Sequence, residues 1–554
     1  MRPVSGPVVS EPEGSAGQGI GTAAMLLMAG TVLSRVLGLI REQVNSYLFG
    51  VSDAMAAFTI ADNIHTMLFD LVMSGMMQAA LIPVLSQYAA LHQRDELKKI
   101  TGALLTLTVV VVGAIVVLLE IFAPYAVAVM TTFGGGEEVK GAETVELTIQ
   151  LVRLILPAVF LLSISTVLMA TLYSLQRFTR PALSLSLRNL AIVTVTLLLG
   201  RTALEVRSIV IGIVFGAVLL IAIQLPGLRD AMPRPNLEFR HPAIRRILLL
   251  YLPIFLGLIV NAVALAFDRN LAWGIGENAL AAMRYATAMN QMILGLVAAA
   301  ISLAALPTLS RHFSSGNEAA YRQTLARGLR MVTVLVVPAA LGLLALSWPA
   351  VRLLFFHGET DRAGAIAIWV ALLAYLPGTF FAAFDQVLIF AYYARQNTRT
   401  PQIVGVLAVG VYFLFALSLV NIASSENGRM AGLVGANSAQ FIFHAIVMVV
   451  LMRRLLASGP NGERQSFDGG ELARTLKVCL GVGTVMTFLA GGAALLLSAG
   501  LPEAGTGLLE FARDAVILGV PVALGAVVYA AGLLYFRVDE ARLIQERVLG
   551  LVGR

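Results

Sequence analysis

Apolar stretches of 18 residues or more recur along almost the whole chain, separated by short polar connections, and each is long enough to cross a hydrocarbon core of roughly 30 Å. The pattern predicts fourteen spans, at 20–49, 55–88, 99–133, 146–174, 181–200, 207–226, 246–273, 278–309, 329–355, 363–393, 401–421, 430–452, 475–499 and 511–536. Several exceed the ~20 residues that a crossing needs, which implies tilt or projection beyond the bilayer. No soluble catalytic domain fits between them. Residues 1–19 are rich in Gly, Ser, Pro and Glu and lack an apolar h-region, so they read as a flexible cytoplasmic tail and not as a signal peptide.

Composition agrees with the pattern. The chain is 58% hydrophobic and 13% charged, against roughly 25% charged residues in a typical soluble domain. The formal charge of +7 would suggest nucleic acid if its location were ignored. Location points to topology instead, because cytoplasmic connections keep an excess of Lys and Arg. With the N-terminus inside, the inner connections hold Arg94, Lys98, Lys99, Arg177, Arg180, Arg229, Arg234, Arg240, Arg245, Arg246 and the corresponding clusters of the second half. The outer connections receive only Lys140, Arg201, Arg207, Arg352, Arg362, Arg429 and Arg513. Both termini are therefore expected in the cytoplasm. The single cysteine, Cys479, offers neither a disulfide framework nor a thiol cluster for a metal.

The chain carries an internal repeat. LIPVLSQYAAL (81–91) resembles ALPTLSRHFSS (305–315), and YSLQRFTRP (173–181) resembles YARQNTRTP (393–401), at offsets of 224 and 220. Two motifs in the same order indicate duplication of a six-span unit. Because six is even, both copies face the same way, and their pseudo-two-fold axis runs along the membrane normal. The expected fold is thus all-α and polytopic. It has an N-lobe at 20–230, a C-lobe at 241–456, a further pair of spans at 472–537 and a cytoplasmic tail at 538–554. Two equivalent lobes suit a transporter that alternates access by rocking.

Charges inside the spans mark the candidate site. SRVLGLIRE (34–42) puts Arg35 near mid-membrane and Arg41 beyond it. A central arginine costs at least ~2.5–3.5 kcal/mol on insertion scales, so it should face water or a partner. At 100° per residue Ser34 shares a face with Arg41, and Arg35 with Glu42, flanking one lumen-directed edge. Guanidinium forks suit a diphosphate; snorkelling to the interface is the alternative for Arg41. In span 2, Thr59, Asn63, Thr66 and Asp70 form a polar stripe with Asp62 nearby, an acidic partner for the span 1 arginines. Asp268 and Arg269 in span 7, Arg284 in span 8 and Asp385 in span 10 extend the set. Asp268 either holds a monovalent coupling cation such as Na+ or pairs with Arg269 or Arg284. Arg153 and Arg188 neutralise each other or Asp70. GGGEE (134–138) lacks the lysine and helix of a phosphate-binding loop and reads as a turn. The six histidines show no ligand spacing. No nucleotide motif appears, so a gradient or the membrane potential would supply energy.

With these stretches, the FG turn at Phe49 and Gly50, SGMMQAALIPVLSQY (74–88), FDRNLAWGIGENALAAMRYA (267–286) and LPTLSRHFSSG (306–316), the chain resembles the MurJ (MviN) family of lipid II flippases over roughly 20–537. That family lies within the superfamily of multidrug, oligosaccharidyl-lipid and polysaccharide exporters. The resemblance implies fourteen spans, cavity arginines that bind the diphosphate of lipid II, and a groove on spans 13 and 14 for the polyprenyl tail. It implies Ser34, Arg35, Arg41 and Glu42 as headgroup-cavity residues, and Asp268 at an acidic position associated with cations. The sequence departs from the family pattern at Ala56, Phe69, Thr287, Ala288, Gln291 and Gln386, and Arg269 and Arg284 are expected to serve the cavity instead. The expected activity is non-enzymatic translocation of an undecaprenyl-diphosphate-linked peptidoglycan precursor across the bacterial cytoplasmic membrane. Expected partners are lipid II or a related glycolipid, membrane lipid and cell-wall synthesis proteins, but no nucleic acid. An exporter of another polyprenyl-linked glycan or amphiphile, or a nontransporting cell-envelope scaffold, are the other readings.

Overall fold

The computed structural model describes residues 13–74, 77–90, 93–276, 278–295, 299–457, 469–502, 507–542 and 545. Among these residues the secondary structure is helical throughout, with no strand. Span 1 is α1 (Glu13–Phe49), which starts earlier than the expected residue 20; residues 1–12 of the expected tail lie outside the described residues. Span 2 is divided into α2 (Asp53–Phe69), two π turns (Asp70–Ser74 and Met77–Leu81) and α3 (Ile82–Ala90). Span 3 bends at Phe122 between α4 (Arg94–Ile121) and α5 (Ala123–Thr131). The N-lobe closes with α6 (Glu137–Ser174), α7 (Thr179–Leu199) and α8 (Arg207–Gln224).

The C-lobe repeats this plan. Span 7 is α9 (Pro242–Trp273); span 8 is divided into α10 (Ala279–Ile293) and α11 (Ala299–Ser314). Span 9 bends at Leu346 between α12 (Glu318–Ala345) and α13 (Ser347–Phe355). Then come α14 (Arg362–Ala394), α15 (Arg399–Leu419) and α16 (Glu426–Ala457). The last two spans are α17 (Gly469–Gly500) and α18 (Leu508–Tyr535). Among the described residues, eleven unbroken helices are long and apolar enough to cross a membrane; α1 and the divided spans 2 and 8 are not among them.

Helix ends reproduce the duplication far beyond the two sequence motifs. Both ends of α4 and α5 stand 224 residues before those of α12 and α13, and both ends of α7 stand 220 before those of α15. The offset drops by four in the connection before span 4, where residues 132–141 of the N-lobe face 356–361 of the C-lobe. Gly141, at φ 78°, breaks the first turn of α6, so regular helix resumes at the residue equivalent to Arg362. Pro157 in α6 and Pro377 in α14 are equivalent at 220, each removing one i→i−4 hydrogen bond from a long helix. Gln176 and Gln396, also 220 apart, both take the left-handed conformation (φ 61° and 57°) that turns the chain into α7 and α15.

Packing between helices relies on small residues, since apolar burial alone does not drive association in lipid. The Cα of Gly30 in α1 abuts the Ala182 carbonyl of α7, and Gly378 in α14 abuts Ser438 of α16, whose Oγ donates to Ala374 O at 2.6 Å. A side chain at either glycine would hold its helices apart. The central core joins both lobes: Phe58 of α2, Tyr285 of α10 and Phe355 of α13 are fully buried, with the Tyr285 and Phe355 rings stacked at 5.2 Å.

Candidate functional site

A chamber of about 430 Å³ lies between the lobes, walled by α1, α2, α7, α9 and α10. That volume is within the range of small-ligand sites, ~300–1,000 Å³. Its polar lining comes from Ser34, Arg35, Arg41, Glu42, Asn63, Arg269 and Arg284, together with Thr59, Asn189, Thr287 and Gln291. The SRVLGLIRE arginines therefore face an open space between lobes, and the snorkelling alternative for Arg41 is set aside.

Glu42 is the hub. Only 3% exposed, it accepts from Arg41 Nη2 at 2.7 Å and from Arg284 Nε and Nη2 at 2.8 and 3.0 Å. Arg284 Nη1 reaches Asp62 at 2.8 Å, and its guanidinium lies 4.7 Å from the Phe58 ring centroid, a cation–π contact. His65, one helical turn below Asp62, stands 3.5 Å from its other oxygen. The acidic partner of span 1 is thus its own neighbour, Glu42, while Asp62 serves Arg284. Removing one member of such a buried pair costs roughly 3–5 kcal/mol, because the other charge stays buried and unpaired.

Arg35 differs. Among the described residues no carboxylate lies within ion-pairing distance of it; its guanidinium rests against the backbone of Gly295, where a Cβ would come within 2.5 Å of Cζ. Gly295 belongs to the π turn that interrupts span 8, and such turns often occur at functional sites. Asn189 on α7, absent from the residues expected from sequence, ties the wall together. Its Nδ2 donates to Ser34 O and Oγ at 3.0 and 3.2 Å, and its Oδ1 accepts from Arg41 Nη1 at 3.4 Å. The available signal was an asparagine beside Arg188 in an otherwise apolar span.

Two expectations are corrected. Asp70 does not line this chamber: α2 ends at Phe69, and the π turn that begins at Asp70 takes the chain off the register that grouped it with Thr59 and Asn63. Thr66 is exposed and also outside the lining. Arg153 and Arg188 do not neutralise each other, since two guanidinium cations repel; Arg153 Nε donates to the Glu120 carbonyl at 3.2 Å, and Arg188 Nε is buried without a hydrogen-bond partner among the described residues. Asp268 has Oδ2 3.4 Å from Arg269 Nη1, and its Oδ1 accepts from the Tyr412 hydroxyl at 2.5 Å. Asp385 pairs with His444 at 2.6 Å between α14 and α16, away from the chamber.

A second cavity, of about 850 Å³, runs between α10, α12, α17 and α18 and is almost wholly apolar, lined by residues such as Val334, Pro338, Met486, Pro521 and Ala526. The two cavities share Leu39 and Met292 in their walls. A charged pocket thus opens beside an apolar groove on the last two spans. At both ends of the groove an arginine of span 9 clasps the final helix region: Arg352 meets Asp514 at 2.9 Å and Glu510 at 3.3 Å, and Arg330 meets Glu540 and Glu471 at 2.6 Å each.

Two repeated six-span lobes enclosing a charged chamber, with an apolar groove beside it, define a polytopic transporter of the two-lobed exporter class. Within that class, the sequence profile of the family described as "Lipid II flippase MurJ" matches residues 45–511, and the chain belongs to that family. A lipid II flippase MurJ of Burkholderia cenocepacia is 28% identical over 403 residues, 71% of this chain and 77% of that protein. A probable lipid II flippase MurJ of Bdellovibrio bacteriovorus is 26% identical over 518 residues, 92% of this chain and 94% of that protein. Among solved structures, one described as lipid II flippase MurJ in an inward closed conformation superposes with a TM-score of 0.72 at 19% identity, covering 93% of this chain and 99% of that one. An inward-facing multidrug-resistance transporter of the MATE family superposes at 0.59 and 17% identity, covering 78% and 96%. The expected family and fold class are borne out.

Proposed function

We propose that this protein is a lipid II flippase, which moves the undecaprenyl-diphosphate-linked peptidoglycan precursor across the bacterial cytoplasmic membrane by alternating access, without covalent chemistry. The observation that carries the reading is the meeting of the charged chamber and the apolar groove at Leu39 and Met292. An amphiphile with an anionic head and a long prenyl tail fits both at once. The head exchanges water for guanidinium donors while the tail stays in an apolar environment, so neither part meets the solvent it disfavours.

In this reading Arg35, the chamber arginine without a carboxylate partner, makes the first bidentate contact with the diphosphate. Arg41 and Arg284, already held by Glu42, complete the cradle. The arginine-rich face is cytoplasmic, both termini included, so the face that holds Gly50 and Gly136 is the outer one. A monovalent cation at Asp268 would compete with Arg269 for Oδ2, which gives ion coupling a defined competitor. Thr287, Ala288 and Gln291 are uncharged on the chamber wall, and this favours as second reading an exporter of another polyprenyl-linked glycan. Complementation of a strain depleted of its own flippase tests the first reading: growth is expected with the wild-type chain. Failure to complement, with a different copurified lipid found by native mass spectrometry, would support the second.

A further inference from the structure

The internal repeat relates one more pair of contacts. Ser46 near the end of α1 and Asn270 near the end of α9 are equivalent at the offset of 224 that relates α5 to α13. Each is buried, and each is bonded to the other lobe. Ser46 Oγ donates to Phe355 O at 3.2 Å and lies 2.7 Å from Thr360 Oγ1, Thr360 Oγ1 donates to Ser46 O at 2.9 Å, and Glu359 N donates to Tyr47 O at 3.0 Å. Across the pseudo-two-fold, Asn270 Nδ2 donates to Val129 O at 2.5 Å, Phe133 N donates to Asn270 Oδ1 at 3.1 Å, and Trp273 Nε1 donates to Gly136 O at 2.9 Å. In each case the segment between spans 3 and 4 of one lobe caps the end of the first helix of the other.

From this geometry we propose that these reciprocal contacts are two latches that hold the outer mouth shut, and that both release for the transporter to open outward. The proposal rests on the alternating-access reading above and adds to it the device that closes one side. Both latches end on backbone carbonyls at the ends of α1, α5 and α13 or in the connections; Ser46 O and Phe355 O keep local backbone donors, Gly50 N and His357 N, at 2.9 Å each when the latch bonds are lost, and water replaces a lost partner at little net cost on opening. The N-lobe latch carries the four-residue extension, and its Lys140 bonds Asp53 at 2.6 Å and lies 5.6 Å from the Trp273 ring centroid. At the C-lobe latch no ion pair is found among the described residues; Arg201 Nη2 donates to the Tyr47 hydroxyl at 3.0 Å and its guanidinium lies 5.6 Å from that ring centroid. The fit of this latch depends on Gly358, in the left-handed region at φ 65°, whose missing side chain lets it sit against the Tyr47 carbonyl. An alanine there would be strained and would press on Tyr47.

The test uses the full-length protein in proteoliposomes, in a Cys479→Ser background, with a chamber reporter (Gln291→Cys) labelled by a membrane-impermeant maleimide from the outer side. Trp273→Phe removes one donor and is expected to raise outer labelling roughly 2- to 10-fold, the worth of a single hydrogen bond; Gly358→Ala is expected to raise it as well. A Ser46→Cys/Thr360→Cys disulfide is expected to suppress outer labelling and, in a protein without the reporter, to stop lipid II transfer, with reductant restoring both. Outer labelling indifferent to Trp273→Phe and Gly358→Ala would overturn the latches, whether or not the disulfide forms. So would transfer that continues at full rate with the disulfide closed. Latch-dependent labelling in a protein that moves no lipid II would overturn the flippase reading and leave the latches standing.

Discussion

Arg284 and Glu42 meet across the lobe interface with two contacts, 2.8 and 3.0 Å, that join span 8 of one lobe to span 1 of the other. Because Arg284 also holds Asp62, its removal leaves buried Glu42 with Arg41 as its one arginine and half-buried Asp62 with only His65 beside it. Arg284→Ala is expected to destabilise the protein by about 3–5 kcal/mol, visible as a large fall in the thermal midpoint of the detergent-solubilised protein. Arg284→Lys restores little, since an ammonium cannot reproduce the fork that spans Glu42 and Asp62. A midpoint unchanged by Arg284→Ala would show that the cluster contributes nothing to closure.

Asn189 orients two chamber residues and carries no charge, so its loss separates positioning from electrostatics. Asn189→Ala is expected to weaken lipid II binding roughly 2- to 10-fold, the equivalent of one hydrogen bond, with a small change in stability. Titration by native mass spectrometry reads it directly; unchanged binding would remove Asn189 from the site.

The groove is tested by filling it. Gly525 on α18 faces Met486 across the cavity, with a Cβ there only 3.2 Å from Met486 Cγ. Gly525→Leu is expected to slow transfer of a lipid II bearing the full prenyl chain much more than that of a short-chain analogue. Equal slowing of both would place the tail elsewhere.

On the arginine-rich face, Asp230 receives two hydrogen bonds from Arg177, at 2.6 and 2.7 Å, which join the connection after span 4 to that after span 6. This guanidinium holds the Asp230 carboxyl down at about 2, below the ~3.9 of an unfolded chain. A depressed carboxyl stabilises the fold above the unfolded value and loses that contribution as pH falls through the folded one. The clasp is therefore expected to persist at pH 4 and open towards pH 2, a step that Asp230→Asn abolishes; amide exchange at residues 175–178 measures it.

Much of this architecture was legible in the sequence because its signals are long. The apolar spans and the two repeat motifs each average over many residues, and Arg35, Arg41 and Glu42 stood out because charge is rare where they lie. Asp70 shows the limit: the stripe from Thr59 to Asp70 assumed one unbroken helix, and π turns that carry no strong sequence mark ended that register. Asn189 and Phe58 were missed for another reason. Their roles arise from neighbours more than a hundred residues away in sequence or on another helix, such as Arg41 for Asn189 and Arg284 for Phe58. The latches needed both sources, the offset of 224 from sequence and the contacts of Ser46 and Asn270 from the fold.

In this mechanism the chamber arginine that has no carboxylate partner among the described residues receives the lipid head. Transfer of lipid II in proteoliposomes by the wild-type protein and by Arg35→Ala tests it most directly. Arg35 has no ion-pair partner among the described residues, so the variant is expected to keep its thermal midpoint while transfer falls at least about tenfold, the worth of a charge-assisted contact. A variant that transfers lipid II at the wild-type rate would contradict the account.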